Sequence, residues 1–254
     1  MDELNQYITA VIFAMLRLSP LVLSSALTPM SKIPMAVRIL FLIVFSIMAV
    51  FVTSSSVAIG SLMQWAITGM LEVMLGIVFV FAIQIAVSGL LTLGRVVDMQ
   101  IGFGAAGIID PKTHNNESLT GTLLMMVFML LFFQLNFHHE MLSALVLSFK
   151  LIPIGGFSAQ MDIYYTASAL TQQFFLALIL CLPIILALFI LDIMIGFSAK
   201  TMPQMNIYFI GLPLKIGVGL VVFSFVAHKM LPGFERIFNQ INIFWIDLLG
   251  LGNV

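Results

Sequence analysis

The sequence predicts an all-α protein of the polytopic membrane type, built from helical hairpins, and three observations predict it. Of 254 residues, 61% are hydrophobic and only 8% are charged, whereas a soluble domain carries about 25% charged residues to hydrate its surface. Apolar runs long enough to cross a bilayer, about 20 residues of helix, recur along the whole chain. The connectors between them hold the prolines, the paired glycines and many of the charges.

Six such runs can be marked, at 8–28, 39–59, 73–94, 119–137, 173–197 and 207–228. The third carries no charge from Val73 to Leu93, while the first is interrupted by Arg17 and Pro20. Asp2 and Glu3 stand where a signal peptide would carry Lys or Arg, so the first segment is expected to remain in the mature protein. Between the runs lie Ser24-Ser25 and Thr28-Pro29 ahead of Lys32, Pro34 and Arg38, then Arg95 to Glu117, Leu151 to Gly156, and Lys200 to Pro203. Proline removes a backbone donor and restricts its predecessor, so Pro153 with Gly155 and Gly156 is expected to break a helix, as are Gly211 and Pro213 in the last run. After residue 228, apolar Phe234, Ile237, Phe238, Ile241, Phe244, Trp245 and Leu248 alternate with Lys229, Glu235, Arg236 and Asp247, the pattern of an amphipathic helix. Lys and Arg in the connectors number five on one side (Lys32, Arg38, Arg95, Lys112, Lys200) and three on the other (Lys150, Lys229, Arg236). By the positive-inside rule this places both termini on the non-cytoplasmic side. No hydrophilic block is long enough for a separate domain.

A formal net charge of −1 gives no broad field of either sign, so nothing suggests a nucleic-acid groove or a basic membrane-surface patch. The single cysteine, Cys181, lies in an apolar run, so neither an intrachain disulfide nor a cysteine zinc cluster can form. Gly102-Phe103-Gly104-Ala105-Ala106-Gly107 spells the dinucleotide-binding pattern, but the residues about 20 positions on are Leu and Met of an apolar run, with no acid to hold a ribose. His138-His139-Glu140 cannot present one metal face, because adjacent helical residues point about 100° apart; these are expected to be interfacial polar residues at a helix end. No nucleophile elbow or acid–histidine partnership appears, and no cofactor is expected.

The glycines read better in their full setting, Gln100-Ile101-Gly102-Phe103-Gly104-Ala105-Ala106-Gly107-Ile108-Ile109-Asp110-Pro111. Each glycine weakens a helix by about 1 kcal/mol relative to Ala, so an irregular segment is expected. At membrane depth, irregular backbone is tolerated only inside protein or lining a cavity. The stretch is therefore either a loop that lines or plugs a pore, or a tight helix crossing at small residues.

Five charges fall in or beside apolar runs: Arg17, Glu72, Asp98, Asp192 and Lys215. Each costs about 2.5–3.5 kcal/mol at the centre of an inserted helix, so they are expected to be buried, and of these Asp192 and Lys215 are expected to pair or to face a common polar partner. Asp192 and Lys215 lie about ten residues either side of one connector, at similar depth in an antiparallel hairpin. They form either an interface salt bridge or, with Glu72, the ion or proton relay of a small-solute transporter. A membrane-embedded enzyme is the third class of function.

Three motifs in order, Gln100-Ile101-Gly102 to Asp110-Pro111, Leu151-Ile152-Pro153-Ile154-Gly155-Gly156 and Ile210-Gly211-Leu212-Pro213-Leu214, resemble the flagellar biosynthetic protein FliR family across essentially the whole chain. The resemblance implies a non-enzymatic subunit of the bacterial type III export gate. One copy would assemble with five FliP-like and four FliQ-like subunits, alongside an FlhB-like protein, in the inner membrane at the centre of the flagellar basal body. Unfolded flagellar proteins would pass through the pore. Residues 1–168 would be FliP-like and 169–254 a FliQ-like hairpin. The loop 100–118 would plug the pore, with Ile101, Phe103, Ile108 and Ile109 as its bulky members. The family's sealing methionine ring belongs to the FliP-like partner and is not carried onto this chain. The resemblance further implies long, bent helices that sit largely on the periplasmic side, covered by sister subunits as much as by lipid. The injectisome homologues share this architecture; the Gln-Ile-Gly to Asp-Pro wording favours the flagellar branch.

Overall fold

The computed structural model describes residues 2–24, 33–53, 61–103, 118–156, 163–201 and 207–249, and among these there is no strand. Among the described residues seven helices follow in order: α1 (Asp2–Leu23), α2 (Met35–Thr53), α3 (Leu62–Ile101), α4 (Leu119–Gln134), α5 (Phe137–Leu151), α6 (Ile163–Thr201) and α7 (Ile207–Leu248). The protein is all-α, and α1, α2, α3, α6 and α7 are each long and apolar enough to cross a membrane, with α4 and α5 forming one further bent pair.

Local chemistry accounts for the boundaries. Pro34 leads α2, accepting at its carbonyl from the amides of Val37 and Arg38. Ser61 caps α3 by accepting from the Gln64 amide at 3.3 Å. α3 ends where Gly102 takes φ +100°, a conformation that favours glycine. Asn136, at φ 58°, turns the chain between α4 and α5, whose axes differ by 70°; Asn tolerates this left-handed region better than most residues. α5 stops at Ile152-Pro153, and Gly155 follows at φ +80°.

The chain divides into two compact units, one of residues 1–85, 136–170 and 240–254, the other of 86–135 and 171–239. Each takes in chain from both sides of residue 168, so these units follow a different division from the FliP-like and FliQ-like sub-regions. In the first, α1 packs on α2 and α2 on α5. Gly76 lets α3 meet the α1 backbone so closely that a Cβ there would overlap the Arg17 carbonyl. Trp245 is buried between the rings of Phe79 and Phe137, at 5.7 and 5.6 Å, and its indole N–H donates to the Phe79 carbonyl at 3.1 Å. In the second unit, Phe128 meets Phe234 and Phe238 at 6.4 and 4.7 Å. Gly94 and Gly121 touch where α3 and α4 cross, with no room for a side chain on either. Apolar packing of this kind at small residues is how helices associate when lipid offers no hydrophobic drive.

Four sequence expectations are corrected. The charge-free run 73–94 is the middle of a 40-residue helix, so Arg95, Asp98, Gln100 and Ile101 are helical and the helix ends only at Gly102. The run 119–137 ends at Gln134 and turns, because Asn136 adopts a left-handed conformation. The amphipathic stretch after residue 228 continues α7, and Gly211 and Pro213 lie inside that helix, as Pro232 does. A proline removes one helical hydrogen bond, and a helix of 42 residues retains its neighbours on both sides of the gap. Finally, Arg38, Arg95, Lys150, Lys200, Lys229 and Arg236 all stand within helices, while Lys32 and Lys112 lie outside the described residues; the connector tally therefore carries no sidedness.

Candidate functional site

Of the expected plug, Gln100, Ile101, Gly102 and Phe103 are described, and Gly104, Ala105, Ala106, Gly107, Ile108, Ile109, Asp110 and Pro111 lie outside the described residues. Gln100 and Ile101 form the last turn of α3. Ile101 is buried over Gly219 of α7, and Gly102 faces Leu212. The far end of the stretch is held at Ser118, the N-cap of α4, whose hydroxyl accepts from the Gly121 amide at 2.8 Å.

Asp98 joins these two ends. The residue is 5% exposed, and its carboxylate accepts from the Ser118 hydroxyl at 2.6 Å, from the Thr120 amide at 3.1 Å and from the Thr120 hydroxyl. All three groups are donors, which suits an acceptor-only carboxylate placed at a helix N-terminus, where backbone N–H groups lack intrahelical partners.

A second charged centre lies in the other unit. Arg17 of α1 donates through Nε and Nη2 to the two Glu72 oxygens at 2.6 and 3.1 Å. Its Nη1 donates to the carbonyls of Ser148 and Ile152, both at 3.0 Å, and its guanidinium lies 4.3 Å over the Phe149 ring. Glu72 also accepts from the Gly155 amide at 3.0 Å. This arrangement caps the C-terminal carbonyls of α5 with a cation, as helix ends favour, and fixes the turn that contains Pro153, Gly155 and Gly156.

Asp192 of α6 and Lys215 of α7 form an ion pair, as their matched depth predicts. This chain by itself does not bury them as expected: on the single chain their side chains are 39% and 25% exposed. Glu72 and Asp192 are thus each engaged by a cation, which leaves neither as an unpaired acid for a relay.

The sequence reading named Arg17, Glu72 and Asp98 without their partners. Ser118 was legible as a cap, a serine directly before an apolar run. Thr120, Ser148 and Phe149 carry no sequence signal, since their roles depend on which helices meet. Gln173 was also missed: it is fully buried, and neither of its amide atoms has a hydrogen-bond partner among the described residues.

A family model described as bacterial export proteins, family 1, matches residues 8–241. The flagellar biosynthetic protein FliR of Bacillus subtilis (strain 168) is 30% identical over 161 residues, 62% of this chain and 60% of that protein. FliR of Escherichia coli (strain K12) is 29% identical over 179 residues, covering 70% of this chain and 69% of its own length. The Yop proteins translocation protein T of Yersinia pestis is 26% identical over 165 residues, 63% of this chain and 62% of that protein. The matched stretch therefore spans less than two thirds of the Bacillus and Yersinia relatives.

Proposed function

The chain belongs to the bacterial export proteins, family 1, and we propose that it is a non-enzymatic core subunit of the flagellar type III protein export gate. In this reading one copy assembles with five FliP-like and four FliQ-like subunits beside an FlhB-like protein, in the inner membrane at the centre of the basal body and largely on its periplasmic side. Unfolded flagellar proteins pass through the shared pore. The stretch 100–118 plugs it at rest.

The observation that carries this reading is the reach of exposed apolar surface on α7. Phe209, Ile210, Leu220, Val221, Phe225, Leu231, Ile243 and Ile246 are all exposed on the single chain. From Phe209 to Ile246 the helix path is about 55 Å at roughly 1.5 Å per residue. A hydrocarbon core of about 30 Å, crossed at the steepest usual tilt of about 40°, covers about 40 Å of helix. The remainder needs protein, which a hetero-oligomer of apolar helices supplies. Such an assembly also accounts for α3 and α6, which at 40 and 39 residues exceed a single span in the same way.

Deletion of residues 103–108 is the test. The altered chain should co-purify with its partners in mild detergent, and cells carrying the complex should leak small ions. A tight barrier in an assembled deletion complex overturns the plug assignment. Recovery of the unaltered chain alone, or as a homo-oligomer, overturns the gate reading and favours a transporter.

A further inference from the structure

We infer that Asp98 is a positioning residue whose carboxylate fastens the start of α4 to the end of α3, so that the chain on either side of residues 104–117 is held at fixed points; the inference rests on the proposed plugging role of that stretch. Ser118 alone already supplies an ordinary N-cap, since its hydroxyl accepts from Gly121 at 2.8 Å. An N-cap does not require a buried carboxylate from another helix, and a charge within an apolar helix is costly. Asp98 does what Ser118 cannot: it accepts from the Ser118 hydroxyl, the Thr120 amide and the Thr120 hydroxyl at once.

The surroundings hold the two ends just as closely. One turn before Asp98, Gly94 meets Gly121 with no side chain between the helices. One turn after it, Ile101 fills the space over Gly219, and Gly102 turns the chain at φ +100° beside Leu212. The carboxylate thus sits where a single group holds the end of α3 and the start of α4 together.

The experiment compares Asp98→Ala, Asp98→Asn, the 103–108 deletion and the unaltered chain, each in the complete complex. Ion leak is measured per assembled complex, with assembly scored by co-purification. Asp98→Ala should leak several-fold more than the unaltered complex and approach the deletion. Asp98→Asn keeps one acceptor atom and should leak less than Asp98→Ala. A residue serving only the stability of α4 would lower the yield of complex without raising the leak of what assembles.

If the deletion leaks and assembled Asp98→Ala does not, the positioning role is overturned and the plug reading stands. If the deletion is tight, both fall. Should Asp98→Ala fail to assemble, the double variant Asp98→Cys/Ser118→Cys replaces the clasp with a covalent one. It should seal when oxidised and leak when reduced; equal leak in the two states overturns the inference.

Discussion

Arg17 and Glu72 form a bidentate ion pair between α1 and α3, and the same two side chains hold the carbonyls of Ser148 and Ile152 and the amide of Gly155. Five hydrogen bonds thus converge on two side chains that are only 2% and 0% exposed as residues. Breaking a buried pair by removing one partner leaves an uncompensated charge and costs about 3–5 kcal/mol. Arg17→Met and Glu72→Leu should each lower the melting temperature of the detergent-purified complex strongly. The double variant should recover part of the loss, because it leaves no lone charge, though the α5 carbonyls and the Gly155 amide stay unpaired. Melting of Arg17→Met at the unaltered temperature would show that the pair contributes no stability.

The crossing of α3 and α4 makes a sharper steric prediction. A Cβ at Gly94 would overlap the Gly121 backbone, whereas a Cβ at Gly217 meets open space. Overpacking typically costs about 1–3 kcal/mol, and here the obstacle is backbone, which cannot rotate aside. Gly94→Ala should therefore destabilise the protein by that order and loosen the Asp98 contacts one turn away. Gly217→Ala should cost less and gain helix propensity of up to about 1 kcal/mol. Equal melting of the two variants would mean that the crossing yields more easily than its geometry indicates.

These two centres mark what the sequence could and could not convey. Helix content and apolar length were legible because charge density follows from composition and run length from residue order, both read directly from the sequence. Later in the chain, Met230, Phe234, Ile237, Phe238, Ile241, Phe244 and Trp245 are all buried at helical spacing, so the amphipathic pattern was legible too. Its fusion with the preceding run into α7 was not, since Pro213 read as a break, yet neither it nor Pro232 ends the helix. The turn at Asn136 was hidden for the opposite reason: one left-handed residue in an apolar run leaves no period to read. Arg17, Glu72 and Asp98 stood out by their cost in apolar helices, but Arg17 meets Glu72 55 residues away and Ser148 131 residues away, and Asp98 meets Ser118 20 residues away. Only Asp192 and Lys215 could be paired from sequence, because one connector sets their depth.

That last pair is the place to ask whether a charge in the hairpin is structural. At 39% and 25% exposure, an ion pair facing water is worth only about 0–1 kcal/mol. Asp192→Asn or Lys215→Met would then cost little if the hairpin face were solvated. The exposed neighbours Phe189, Ile190, Ile193, Met194 and Leu214 are apolar, which places the pair on a face that lipid or a partner helix covers. There a lone charge is left without its counter-ion, and each single neutralisation should reduce assembly. Exchanging both charges, Asp192→Lys with Lys215→Asp, keeps the attraction and should restore assembly above either single change, measured by co-purification with the partner subunits. If the exchange fails as badly as the single variants, the two charges answer to a third group in the assembly, and their mutual pairing does not explain their presence.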